Sequence, residues 1–125
     1  MSGKFLLDTN AIIYAINRKL TLPTGHYAVS VIAVMELLSW PGIGQEDDKQ
    51  LRLVIGQLEV IELVKSIQES AIRIRRATSL KLPDSIISAT AIHGDYLLIT
   101  DDQKLADKHV GQTMTLNQLM AGYQT

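Results

Sequence analysis

Four acidic residues interrupt stretches of the sequence that are otherwise apolar. Two of them follow short strand-like runs and two lie inside apolar helical patterns; they are Asp8, Glu36, Asp84 and Asp102. A carboxylate beside an apolar core costs free energy unless another group pairs with it. We therefore expect the four acids to share one pocket, where their oxygen atoms would bind a hard divalent cation, Mg²⁺ or Mn²⁺.

Such a pocket predicts a particular chemistry. Carboxylates that hold one or two divalent cations activate a water molecule for attack on a phosphodiester bond. Without a cation, four acids this close together would repel one another and take up protons. Each acid taken alone has a simpler interpretation, either a helix cap or a solvent-exposed position, but four separate coincidences would then be needed.

The first of these acids stands where a buried strand gives way to a helix. Phe5-Leu6-Leu7 is an apolar run without a helical period, which is typical of a strand buried on both faces. Thr9 and Asn10 are good helix N-caps, and an apolar helix is predicted over 11–16. Asp8 is then either a cap for that helix or a site residue, because ligands bind at the carboxyl ends of parallel strands.

The same alternation of strands and helices continues along the chain. Further strands are predicted at 26–29, 60–64, 96–99 and 113–115. Helices are predicted at about 31–39, 45–57, 66–78, 83–93, 103–108 and 116–120, the third of them opened by a capping box of Ser66 and Glu69. Strands that alternate with helices predict an α/β fold, with a parallel sheet covered by helices on both faces.

Composition limits the class of protein. The chain of 125 residues fits a single domain over 1–125, and its 46% hydrophobic content is enough to build a core. The absence of Cys excludes a disulfide framework and a thiolate metal site. A net charge of −1 does not announce a nucleic-acid partner, which would need a local basic patch. Without a signal peptide or a long apolar stretch, we expect a cytoplasmic protein that does not enter a membrane.

Four sequence blocks carry the acids in a characteristic order. They are Leu6-Leu7-Asp8-Thr9-Asn10, Ser30 through Glu36 to Pro41, Lys81 through Asp84 to Ala91, and Leu98-Ile99-Thr100-Asp101-Asp102, with successive acids 28, 48 and 18 residues apart. In these blocks the chain resembles the PIN-domain ribonucleases, and most of all the VapC-type toxins of toxin–antitoxin pairs. Many relatives carry an Asp-Phe pair a few residues after the last acid. Here Leu105-Ala106-Asp107 stands instead, so Asp107 is not included in the expected site.

The resemblance implies a structure, an activity and partners. It implies a PIN-like three-layer α/β/α fold with a small central parallel sheet of about four to five strands. It implies a Mg²⁺- or Mn²⁺-dependent endoribonuclease with an RNA substrate, a cognate antitoxin and a homodimeric state. The metal ligands and catalytic residues would be Asp8, Glu36, Asp84 and Asp102.

Several neighbouring residues are candidates for orienting those carboxylates. Thr9, Asn10 and Thr100 can donate hydrogen bonds to them, although the same side chains would also satisfy nearby backbone groups. Asp101 is the remaining candidate. Because neighbouring side chains leave a strand in opposite directions, we expect Asp102 to face the pocket. We expect Asp101 to face solvent or to cap the helix that begins near Gln103.

Other readings of the sequence remain open. A catalytically silent PIN domain would bind RNA or a protein without turnover. A metal-dependent phosphatase with an Asp nucleophile would usually have a second Asp two residues after Asp8, where this chain has Asn10. His26, His93 and His109 have no metal-ligand spacing and are predicted to lie at the surface. The positive charges at Arg73, Arg76 and Lys81 are interpreted as a solvated helix face rather than an RNA contact; the serines at 30, 85 and 88 have no compelling base partner.

Overall fold

The centre of the fold is a parallel sheet of five strands, seen in a computed structural model that describes residues 3–122. The strands are β1 (Gly3–Leu7), β2 (Gly25–Ser30), β3 (Glu59–Ile61), β4 (Leu97–Ile99) and β5 (Thr113–Met114). Their order across the sheet is β3-β2-β1-β4-β5, and all four pairings are parallel. All the carboxyl ends therefore lie along one edge, with β1 in the middle.

Helices connect the strands and cover both faces of the sheet. They are α1 (Thr9–Asn17), α2 (Val31–Leu38), α3 (Gln45–Ile55), α4 (Lys65–Thr78), α5 (Leu82–Gly94), α6 (Gln103–Lys108) and α7 (Leu116–Gly122). The predicted three-layer α/β/α arrangement with a parallel sheet of four to five strands is confirmed, and the sheet has five strands.

The central strand is buried on both faces, as its apolar run predicts. Phe5 and Leu7 belong to a core cluster that includes residues of α1, α2 and α7, whereas Leu6 belongs to a second cluster with residues of α5 and α6. All three side chains are at most 3% exposed. This two-sided burial fixes the end of β1, and with it the residue that follows.

Helix α5 is the most deeply buried helix of the chain between residues 3 and 122. Every residue from Ser85 to Ala91 is buried, because the helix packs between the sheet and α4. Pro83 lies in its first turn, where a missing backbone N–H is no loss. The acid at Asp84 therefore stands at the amino end of a rigid helix, beside the sheet edge that carries the other strand ends.

Two local predictions around β3 and α4 are wrong. The strand predicted at 60–64 is β3 at Glu59–Ile61, because its pairing with β2 ends at the last residue of β2, Ser30. The capping box does not form, since α4 begins at Lys65 and its N-cap makes no side-chain hydrogen bond. Glu69 instead lies 3.6 Å from the Lys65 ammonium, one helical turn away.

Candidate functional site

Asp8 caps α1 and lines a cleft that also contains the other three predicted acids. Its Oδ1 accepts a hydrogen bond of 2.7 Å from the backbone N–H of Ala11, and its side chain is only 4% exposed. Asp8 therefore caps α1 and also lines the cleft. Thr9 and Asn10, the expected caps, are instead the first two residues of the helix.

A buried threonine connects two of the acids. The Thr100 hydroxyl donates a hydrogen bond to Asp8 Oδ2 and accepts one of 3.0 Å from the backbone N–H of Asp102. Because a hydroxyl has a single proton, the bond from the Asp102 backbone leaves that proton for Asp8. Thr100 thus ties the end of β1 to the loop after β4.

Asp101 and Asp102 point to different places. Asp102 caps α6 through a bond of 3.1 Å from Leu105 N–H to its Oδ1, and it lines the cleft. Asp101 is exposed, lies outside the cleft lining, and accepts a bond of 3.2 Å from Leu116 N–H at the start of α7. Of the two alternatives expected for Asp101, the structure shows the first, since Asp101 is exposed and the helix that begins at Gln103 is capped by Asp102. Its hydrogen bond goes to α7, so it orients none of the four acids.

The two remaining acids come from two different helices, α2 and α5. Glu36 lies in α2, and its Oε1 accepts a hydrogen bond of 3.0 Å from the Thr9 hydroxyl on α1. This hydrogen bond is the kind of contact that the expected orienting role of Thr9 requires. Asp84 lies in the first turn of α5 and is half-buried. Asn10 also lines the cleft but makes no side-chain hydrogen bond to another residue between 3 and 122.

The four predicted acids share a single cleft of about 630 Å³. Burial, followed by repulsion from Asp102 and Glu36, raises the pKa of the Asp84 carboxyl above its ordinary value; Lys81 and Lys104 lower it by a smaller amount. None of the four acids forms an ion pair with any other described residue. The cleft thus concentrates negative charge that the described part of the chain does not neutralise.

The carboxylates of the described residues are not arranged as the ligands of a bound metal ion. Among residues 3–122, no group of three or more His, Cys, Asp or Glu side chains is arranged so that it could hold a metal ion as it stands. Both oxygens of Asp8 accept hydrogen bonds from the protein, from Ala11 and Thr100, and one oxygen each of Glu36 and Asp102 does so, from Thr9 and Leu105. In type and charge the donors nevertheless fit a hard divalent cation, since all of them are carboxylate oxygens.

The buried Asp8 predicts a pH dependence of stability. Burial raises its pKa to about 6, against 3.8 for an unperturbed Asp. The folded protein then binds this proton more tightly than the unfolded chain, so ionising Asp8 costs about 3 kcal/mol at neutral pH and the cost disappears as the pH falls from 6 towards 3.8. Relative to the variant Asp8→Asn, the metal-free protein should become steadily more stable over that interval.

Urea unfolding of both proteins in EDTA, between pH 7.5 and pH 4, measures this difference. Titrating groups that do not interact with Asp8 contribute equally in the two proteins, so their contributions cancel. A difference in unfolding free energy that stays constant with pH would show that Asp8 titrates as an ordinary surface carboxyl.

One histidine was assigned wrongly from the sequence. His26 and His93 are exposed as predicted, but His109 is only 8% exposed and its Nδ1 lies 2.6 Å from the buried Ser88 hydroxyl. Burial lowers the pKa of the His109 imidazole. The pair joins α5 to the end of α6 on the face away from the cleft lining, and we interpret it as a packing contact.

The cleft also includes residues that the acid pattern did not identify. Trp40 lies on its rim and is 66% exposed. The sequence did contain a signal for this residue, because Trp40 is a large aromatic side chain four positions after Glu36. Asp107, set aside from the sequence, is exposed and accepts a hydrogen bond from Gln103 outside the cleft.

Within residues 3–122, no helix combines the length and the apolar character that crossing a membrane requires.

Comparisons with known proteins agree with this geometry. The family model described as PIN domain matches residues 5–110. No curated protein matches the chain in sequence. A chain of a toxin–antitoxin complex from Klebsiella pneumoniae is 25% identical, with a TM-score of 0.73 over 89% of this chain and 96% of that one.

Two further solved structures share the fold. A chain of VapBC-1 from nontypeable Haemophilus influenzae has a TM-score of 0.76 at 18% identity, covering 90% of this chain and 98% of its own. A chain of VapBC2 from Rickettsia felis, bound to a DNA fragment from their promoter, has a TM-score of 0.75 at 20% identity, covering 89% and 97%.

Proposed function

Because the chain belongs to the PIN-domain family, we propose that it is a metal-dependent endoribonuclease, the toxin of a VapBC-type toxin–antitoxin pair that acts on RNA in the cytoplasm. The observation that carries this proposal is the meeting of four carboxylates in one cleft, where no described cation pairs with any of them. A charge cluster of this kind is costly unless a ligand neutralises it.

The expected ligand is Mg²⁺ or Mn²⁺, held by Asp8, Glu36, Asp84 and Asp102. A bound divalent cation supplies water activation and charge neutralisation for phosphodiester hydrolysis. The protein contributes the fixed positions of its carboxylates. Thr100 holds Asp8 and Thr9 holds Glu36, and both hydroxyls are carried by residues at the carboxyl edge of the sheet.

Two lysines are suited to the substrate backbone. Lys81 at the start of α5 and Lys104 in the first turn of α6 both act electrostatically on Asp84. Both are exposed, and neither pairs with an acid among the residues described. RNA phosphates next to the bond being cleaved would meet these cations, so Lys81, which the sequence pattern assigned to a solvated helix face, would contact the substrate backbone instead.

The proposal extends to protein partners. Toxin–antitoxin complexes are among the solved structures with the same fold, which supports a cognate antitoxin for this chain. A homodimer is part of the same proposal. Copurification of a coexpressed antitoxin and light scattering of the isolated protein are the direct measurements.

The metal requirement gives the test of the proposed function. Mg²⁺ or Mn²⁺ should raise the melting temperature, because the cation relieves repulsion among the acids of the folded protein alone. At about a hundred times its Kd it should add about 2.7 kcal/mol to the free energy of unfolding. RNA cleavage by the purified protein should require the cation and stop in excess EDTA.

The outcome separates the alternatives left open by the sequence. Full RNA cleavage in excess EDTA would contradict the metal hypothesis. Cation binding and RNA binding without turnover would identify a silent domain. Hydrolysis of small phosphomonoesters, with intact RNA remaining, would identify a phosphatase.

A further inference from the structure

Trp40 is the only tryptophan of the sequence, and its side chain is left largely in solvent. It is 66% exposed, yet it lines the same cleft as the four acids. Full burial of a side chain of this size would contribute a few kcal/mol to stability. The fold forgoes most of that contribution at this position, on the rim of the proposed active site.

Trp40 and Glu36 line the same cleft. Glu36 lies near the end of α2, and Trp40 directly follows Ser39, the C-cap of that helix, whose N–H is bonded to Met35 O at 3.0 Å. The indole therefore lines the same cleft as an acid that is proposed to hold the metal.

A tight turn fixes this position. Ile43 N–H donates a hydrogen bond of 3.2 Å to Trp40 O across Pro41 and Gly42. Gly42 has a φ of +82°, the left-handed value that the third position of a type II turn requires, and Pro at the second position is common in such turns. Because this turn is already fixed, the protein loses less conformational entropy when a ligand binds to Trp40.

We propose that Trp40 is a stacking platform for a nucleobase of single-stranded RNA, next to the bond that is cleaved; this inference rests on the proposed nuclease function. A substrate that brings its phosphate to Glu36 must carry the adjoining bases past the indole. An aromatic face stacks on any base, because every base has a π-face. A protein segment is the competing occupant, but the indole lines the same cleft as the four acids of the proposed active site, which favours the substrate.

The stacking role has a consequence for substrate choice. Bases inside a duplex are already stacked on their neighbours, so only an unpaired base is free to bind the indole. The protein should therefore prefer single-stranded RNA over the same sequence in a duplex. Discrimination among the four bases by Trp40 should be weak, since stacking does not read base edges.

Fluorescence of the sole tryptophan reports on this contact directly. With Mg²⁺ present to neutralise the acids, and within the first turnover, a single-stranded oligoribonucleotide should quench the Trp40 emission in a saturable way, and the duplex should not. Trp40→Leu should weaken binding of a labelled single-stranded oligoribonucleotide, measured by anisotropy, by roughly fivefold to a hundredfold. Trp40→Phe should retain most of the affinity.

Leu53→Ala is the matched control. Leu53 lies on α3, is 61% exposed and does not line the cleft, so its replacement should change neither RNA binding nor cleavage. Equal melting temperatures for the wild type and both Trp40 variants establish that the fold is unaffected. Compared with the intact oligoribonucleotide, one with abasic positions should bind the wild type less tightly. It should bind Trp40→Leu with unchanged affinity.

Different results separate this inference from the proposed function. Metal-dependent cleavage with unchanged kcat/KM in Trp40→Leu, and no quenching by RNA, would overturn the stacking role while the nuclease stands; Trp40 would then be free to serve a protein partner. Quenching of the wild type and weakened binding by Trp40→Leu, without cleavage by the wild type under any divalent cation, would support stacking while the nuclease proposal fails.

Discussion

Replacing Asp8 with Asn should lower metal-dependent RNA cleavage by at least a hundredfold, equivalent to about 2.7 kcal/mol of transition-state stabilisation, in a protein that still folds. Asn keeps an oxygen for the hydrogen bond from Ala11 N–H, so the cap of α1 survives. The charge that Asp8 would give to the metal is lost. In metal-free protein at neutral pH the same change removes the cost of a buried ionised carboxyl.

The measurement is RNA cleavage at saturating Mg²⁺ or Mn²⁺, accompanied by thermal melting in EDTA. Asp107→Asn is the control, because Asp107 is an exposed acid of α6 and does not line the cleft. That control should cleave normally. Wild-type cleavage by Asp8→Asn would place the chemistry elsewhere, and an unfolded variant would make Asp8 chiefly a structural cap.

The second large effect separates two adjacent acids. Asp102→Asn should lower cleavage at least tenfold, equivalent to about 1.4 kcal/mol, whereas Asp101→Asn should leave it nearly intact. Each side chain caps a helix, Asp102 at Leu105 and Asp101 at Leu116, and Asn can accept the same hydrogen bonds. The two variants therefore lose similar local contacts and differ in whether the missing charge faces the cleft.

Cleavage by both variants at saturating metal, with melting temperatures as a check on folding, decides between them. If Asp101→Asn were the inactive protein and Asp102→Asn the active one, the proposed ligand at the end of β4 would be off by one residue. Equal loss in both variants would indicate that the negative charge of the whole loop matters, rather than one ligand.

The layers of the fold were predictable because burial leaves a strong mark on the sequence. Phe5-Leu6-Leu7 has no polar position, since β1 has strands on both sides and helices on both faces. The limits of β3 were less predictable. The alternating pattern continues to residue 64, but pairing ends at Ile61 because the neighbouring strand β2 ends there, and nothing in the sequence of β3 itself records where its partner stops.

The grouping of the acids was predictable from topology, whereas the hydrogen bonds around them were not. Parallel strands put Asp8 and the loop after β4 on one edge, so their proximity followed from the strand pattern. The partners of Asp101 and His109 depend on contacts with Leu116 and Ser88, 15 and 21 residues away. A single polar side chain carries no periodic signal that would reveal such a distant partner.

The hydrogen bond from Thr100 to Asp8 joins residues 92 positions apart, which makes the order of folding important for this molecule. Strand β1 is made early but reaches β4 only after most of the intervening chain is in place, and contacts of such long range are slow to form. Growing chains that have not reached residue 102 lack one of the four acids altogether. The cleft is therefore completed late. The assembled acid cluster is present in the cell only when nearly the whole domain has folded.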